Sequence, residues 1–199
     1  MIKVILSHPT KIENEASFIN QMFKEGMRYF HLRKPDYSED EIRDLMQQIS
    51  SSYYPCIAFH QHHQIAKEFK VKRLHYTEAA RKNLRDIDIT MLKAQLFHLS
   101  TSVHSFEEYK SLMRGFDYAF AGPVFDSISK HDYKAGDIKN TIHVNEKHLT
   151  KLIAIGGITK NNCKEAMSYG FDGVAVLGSI WQSNDPVQEF IQLSNEKRS

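Results

Sequence analysis

Cysteine is scarce in this chain of 199 residues, with Cys56 and Cys163 the only two and no CxxC. That excludes a disulfide-stapled scaffold and a thiolate zinc site, and makes a reducing cytoplasm the expected location. Net charge is scarce as well. Against 24 Asp and Glu stand 26 Lys and Arg, a formal +2, so the concentrated basic surface of a general nucleic-acid binder is missing. No apolar run approaches the ~18 residues of a membrane span. The stretch Met1–His8 has too short an apolar part, and no small-residue cleavage site, to be a secretory signal. No low-complexity segment or composition break marks a linker. Residues 1–199 are therefore expected to form one domain.

What the sequence does have is alternation. Short β-rich runs at Ile2–Leu6, Tyr29–Arg33, Cys56–His60, Arg73–Thr77, Leu96–Val103, Tyr118–Val124, Leu152–Gly157 and Gly173–Gly178 are separated by stretches with helical periodicity. After the first run, Ala16, Phe18, Ile19, Met22 and Phe23 are spaced for one helical face. Ser38 with Glu41 has the spacing of a capping box, and so does Ser105 with Glu108. The stretch Asp86–Lys93 has no clear pattern, and Phe125–Asn140 reads as a long loop. Eight strand–helix units predict an α/β fold, a small (β/α)8 TIM barrel, ahead of a doubly wound open sheet.

A barrel carries its chemistry at the C-terminal ends of its strands. Those ends hold His31 and Arg33, His60 and Gln61, His75 and Thr77, Ser102 and His104, then Ser127, Ser129 and Lys130, and finally Gly156-Gly157 and Gly178-Ser179. The two glycine-containing turns each lead into a helical segment, where bare backbone and unpaired N–H groups suit a phosphate. His104 follows Ser102 by two, on the same strand face, and an imidazole there can act as general acid and base. His60 and His63 are three apart, but no carboxylate or cysteine accompanies them. A strand end running into a helix start is the expectation there, with no metal.

The motifs His31-Leu32-Arg33, Ser102-Val103-His104-Ser105, Gly122-Pro123-Val124-Phe125, Ala154-Ile155-Gly156-Gly157-Ile158 and Gly173-Val174-Ala175-Val176 occur in one order. In that order the chain resembles the thiamine-phosphate synthase/TenI superfamily over nearly its whole length. The resemblance implies a (β/α)8 barrel holding a phosphorylated ligand of the thiamine pathway. A synthase of this family condenses a pyrimidine pyrophosphate with a thiazole phosphate and uses Mg²⁺. Its Gln-x-Arg-x-Lys motif aligns with His31, Arg33 and Pro35, with Lys34 next door. Its two metal aspartates align with Gln61 and Ala80, so both charged ligands are missing. Its Thr-x-Thr-Lys element survives as Ser127-Ile128-Ser129-Lys130.

The TenI branch, a thiazole tautomerase that uses no metal, is similar in its His-x-Arg and Ser-Val-His-Ser motifs. The resemblance thus implies a cytoplasmic thiazole tautomerase with His104 catalytic, and with Gly156, Gly157, Gly178 and Ser179 on the phosphate. His31, Arg33, Ser102, Ser127, Ser129 and Lys130 would line the substrate. No cofactor is expected unless the synthase alternative holds, in which case Mg²⁺ is required; a non-catalytic phosphate binder is the third reading. The expected partner is a small thiazole phosphate, with no nucleic acid or membrane, and a homo-oligomer is allowed.

Overall fold

A computed structural model describes residues 1–112, 114–126 and 149–195. Its strands are β1 (Ile2–Leu6), β2 (Phe30–Leu32), β3 (Ile57–Phe59), β4 (Arg73–Tyr76), β5 (His98–Val103), β6 (Tyr118–Ala121), β7 (Lys151–Ile155) and β8 (Gly173–Val176). They lie parallel in sequence order and close into a barrel, with β1 paired to β8 through Ile2–Gly173 and Ile5–Val176. The eight-unit reading is therefore correct and the open sheet is excluded. Most strands are shorter than the apolar runs that announced them. After Ala121 the chain leaves β6 at Gly122-Pro123, because proline has no N–H to give the ladder.

Helices α1 (Glu15–Lys24), α2 (Glu39–Gln48), α3 (His63–Glu68), α4 (Glu78–Lys82), α5 (Asp86–Ala94), α6 (Phe106–Lys110), α7 (Cys163–Ser168), α8 (Gly178–Trp181) and α9 (Pro186–Asn195) follow the strands. Their apolar faces pack on the outward strand residues. Phe30, Leu32, Ile57, Phe59, Leu99 and Ala119 join Ile19, Met22, Met46 and Ile65 in one buried cluster. Each large side chain fully buried there contributes about 1.5–3 kcal/mol. A smaller cluster fills the barrel: Val4, Leu6, Tyr118, Phe120, Ile153 and Ala175. It is aliphatic on the β7, β8 and β1 side, which leaves the β2 to β6 side for polar groups.

Local signals were obeyed unevenly. At α2, Ser38 Oγ accepts from Glu41 N and Glu41 Oε2 accepts from Ser38 N, a complete capping box. At α6, Ser105 Oγ accepts from Glu108 N, but the Glu108 carboxylate reaches past the cap to His104 N at 2.7 Å. The patternless stretch is helical after all, as α5. Its hydrophobic positions Ile87 and Met91 are exposed, so no single apolar face was there to be read. A 3₁₀ turn over Ser51–Cys56 contains Pro55 and had no forewarning in the periodicity.

Candidate active site at the barrel mouth

The inward positions of neighbouring strands bring three imidazoles together. His31 from β2 shares a hydrogen bond with His60, just past β3, between Nδ1 and Nε2 at 2.8 Å. Its Nε2 meets the Tyr118 hydroxyl at 2.5 Å. His75 from β4 lies over His60, with ring centroids 3.9 Å apart and planes 18° from parallel. The two nitrogens of His75 reach Ser100 Oγ at 3.0 Å and Ser102 Oγ at 3.1 Å, both on β5. His31 and His75 are buried, and His60 is partly buried. His60 stands where a strand end runs into a helix start, as expected, between β3 and α3. It does not stand with its sequence neighbours: His62 Nε2 bonds Tyr37 O, and His63 Nε2 lies between Phe59 O and His75 O. It joins histidines from two other strands.

Burial holds all three rings well below the ordinary imidazole value, and the neighbouring histidines and cations push the same way; His75 is lowered to about 3. All three are neutral at pH 7. Below about 6.5 the unfolded chain gains protons that the buried rings refuse. For His75 stability is therefore complete above that value and is lost as pH falls toward 3, at about 1.4 kcal/mol per pH unit, and His31 and His60 act in the same direction. Urea unfolding followed from pH 7 to pH 4 should show this slope, and His75→Asn should flatten it. A midpoint independent of pH across that range would contradict the burial of these rings as neutral groups.

Further out, His104 continues the inward series Ser100–Ser102 to the rim. Its side chain is 56% exposed and its Nε2 lies 3.5 Å from Glu78 Oε2 at the start of α4. A hydrogen bond from Lys82, first among several, holds the Glu78 carboxyl below its usual value, so it is ionised and can steady an imidazolium. Arg33 is exposed, and its backbone is tied to β1 by Ser7, whose hydroxyl accepts from Arg33 N and donates to Arg33 O. Lys34 is no stand-in for a mouth lysine. Strand alternation turns it outward, where Nζ donates to Glu15 Oε2 at 2.5 Å and to Thr10 O at 2.7 Å with its side chain fully buried. Ser102 is at hand beneath His104 but is already engaged by His75. Ser127, Ser129 and Lys130 lie outside the described residues, as does the loop beyond Asp126.

The glycines divide by cause. Gly156 and Gly157 have φ of +97° and +64°, and a Cβ on Gly157 would come within 2.6 Å of Asp126 O. Backbone geometry and packing explain both without a ligand. Gly178 has neither constraint: the nearest atom to an added Cβ is Gln182 Oε1 at 3.7 Å. It begins α8, whose Trp181 donates to Leu6 O at 2.6 Å and so fixes the short helix over β1. The amides of Gly178 and Ser179 have no hydrogen bond among the described residues. Gly157→Ala should cost about 1–2 kcal/mol from its left-handed φ alone, whereas Gly178→Ala should leave the denaturation midpoint unchanged.

Among the described residues the donor set does not fit Mg²⁺. Where the resemblance asks for carboxylates the chain has Gln61, whose Nε2 is buried without a partner, and Ala80, a methyl on α4. Beside Ala80, Arg81 reaches Ser102 O with one nitrogen while its buried Nε has no partner. A hard cation needs charged oxygen, which neither an amide nor a methyl supplies. Among the described residues no group of three or more potential ligands contains a carboxylate.

The fold defines a class first: a (β/α)8 barrel with its polar groups gathered at the C-terminal mouth, where such barrels carry their chemistry. A family model described as thiamine monophosphate synthase matches residues 3–180, and the chain belongs to that family. It is 24% identical over 189 residues to a thiamine-phosphate synthase of Pyrococcus abyssi, covering 92% of this chain and 89% of the relative. With a thiamine-phosphate synthase of Pyrococcus furiosus it is 33% identical over 88 residues, 44% of this chain and 42% of the relative. That match spans less than half of the relative's length. A solved thiamine phosphate pyrophosphorylase from Bacteroides thetaiotaomicron superposes with a TM-score of 0.75 at 25% identity, each chain covered in full. No helix among the described residues is long and apolar enough to cross a membrane.

Proposed function

We propose that this member of the family is a thiazole tautomerase acting on a thiazole carboxylate phosphate without Mg²⁺. The observation that carries the reading is the chemistry at Gln61 and Ala80, where orphaned N–H donors and a methyl replace the oxygen ligands of a magnesium site. A condensation that expels pyrophosphate needs that charge neutralised; a proton transfer within one ring does not. In this reading His104 takes a proton from a ring carbon and returns it at the exocyclic position. No atom is lost and the ring becomes aromatic. Glu78 stabilises the imidazolium between the two transfers, since it lies within 3.5 Å. Arg33 pairs with the substrate carboxylate, for which its planar fork is suited. The phosphate rests on the amides of Gly178 and Ser179.

The second reading, thiamine-phosphate synthase, is favoured by the names of the relatives described above, two thiamine-phosphate synthases and a thiamine phosphate pyrophosphorylase. It requires metal ligation from elsewhere in the chain. Proton NMR of the thiazole carboxylate phosphate with purified protein in Mg²⁺-free buffer distinguishes the two. Catalysed conversion to the aromatic tautomer is expected, and a rate equal to that without protein would remove the proposal. The same assay on Gly178→Ala should show KM raised several-fold with kcat little changed. An unaltered KM would take the phosphate away from that turn.

A further inference from the structure

Three histidines from three strands converge inside the barrel, and the proton transfer assigned to His104 uses none of them. We propose that His31, His60 and His75 form a binding site for a first-row divalent cation of the zinc class. One nitrogen from each ring lies within 4.8 Å of the other two, the only such group among the described residues. The ligands are all imidazole nitrogens, a set that suits zinc, cobalt or copper and rejects magnesium. The inference holds whichever reaction the mouth performs.

The surroundings resemble a metal site's outer layer. A ligating imidazole is oriented by the bond its other nitrogen makes. With His31 ligating through Nδ1, its Nε2 is held by the Tyr118 hydroxyl at 2.5 Å. With His75 ligating through Nε2, its Nδ1 is held by Ser100 Oγ at 3.0 Å. His31 already meets His60 at 77°, whereas His60 lies face to face on His75, so loading the ion also turns one of those two rings out of the stack until both planes converge on it. Two nitrogens on one tetrahedral Zn²⁺ stand roughly 3.3 Å apart. Loading the ion therefore opens the 2.8 Å His31–His60 contact by a fraction of an ångström, replacing one hydrogen bond. The Ser102 contact to His75 Nε2 is released in the same step. Three neutral ligands leave the ion its full double charge and one free coordination place, which water or an anionic oxygen fills.

The tag-free full chain, stripped by chelation, is titrated with Zn²⁺ by calorimetry and with Co²⁺ by visible absorption. One equivalent of Zn²⁺ and intense tetrahedral Co²⁺ bands are expected. His60→Gln, the least buried of the three, should weaken Zn²⁺ binding at least 100-fold while keeping the circular dichroism of the parent chain. His98→Gln, at an exposed histidine on the opposite end of β5, should bind as the parent does. Absence of a stoichiometric site would overturn the proposal, as would undiminished affinity in a folded His60→Gln. Should that variant fail to fold, the cobalt spectrum of the parent decides, since weak octahedral bands alone also refute the site.

Discussion

Replacing His104 by alanine should lower tautomerase turnover by about 10²–10⁴, the usual contribution of one general acid–base group. The KM should move little, because the proposed reading assigns the phosphate to Gly178 and Ser179 and the carboxylate to Arg33. The side chain is more than half exposed, so its removal should leave the urea midpoint within the range of ordinary surface changes. Its backbone would stay in place: the Glu108 carboxylate still accepts from the amide of residue 104. The result therefore reports on the imidazole rather than on the loop. A His104→Ala protein with full activity would strip His104 of this role. It would also leave Ser-Val-His-Ser as a helix cap that happens to match a motif.

The largest loss of stability is expected at the other face of β2. Glu15 and Lys34 form an ion pair at 2.5 Å with side chains 3% and 0% exposed. Burial pushes Glu15 up and Lys34 down, while the hydrogen bond between them opposes both shifts. Glu15→Gln leaves a buried ammonium without its counter-charge and should cost about 3–5 kcal/mol in urea unfolding. Changing both partners together, Glu15→Gln with Lys34→Met, removes the charge along with its need and should recover much of that loss. Equal losses in the single and double variants would show that the pair is not coupled as its geometry implies.

The barrel was legible because eight β-rich runs alternated with helical stretches, a count that open sheets seldom reach. Inward and outward residues could also be assigned by parity once each strand end was fixed. The histidine cluster was within reach of the same reasoning, since His31, His60 and His75 all stood among the strand-end residues. What concealed it was proximity in sequence: His60, His62 and His63 drew attention to one another, although a strand end sends such neighbours to different sides. Lys34, next door to the position of the family's lysine, is claimed by Glu15 on α1 instead. Helix α5 buries only Ile89 and begins with Asp88 accepting from Arg85 N, so it shows no apolar stripe to read. Of the glycines at the two turns, only Gly178 lacks a purely steric reason to be glycine.

Family membership and site chemistry pull toward different reactions, and the metal requirement separates them. The direct test supplies purified protein with the thiazole carboxylate phosphate, the decarboxylated thiazole phosphate and the pyrimidine pyrophosphate, with and without Mg²⁺. Both products are then quantified by chromatography. The account predicts aromatised thiazole at the same rate under both conditions and no thiamine phosphate under either. Thiamine phosphate formed only when Mg²⁺ is present would contradict it.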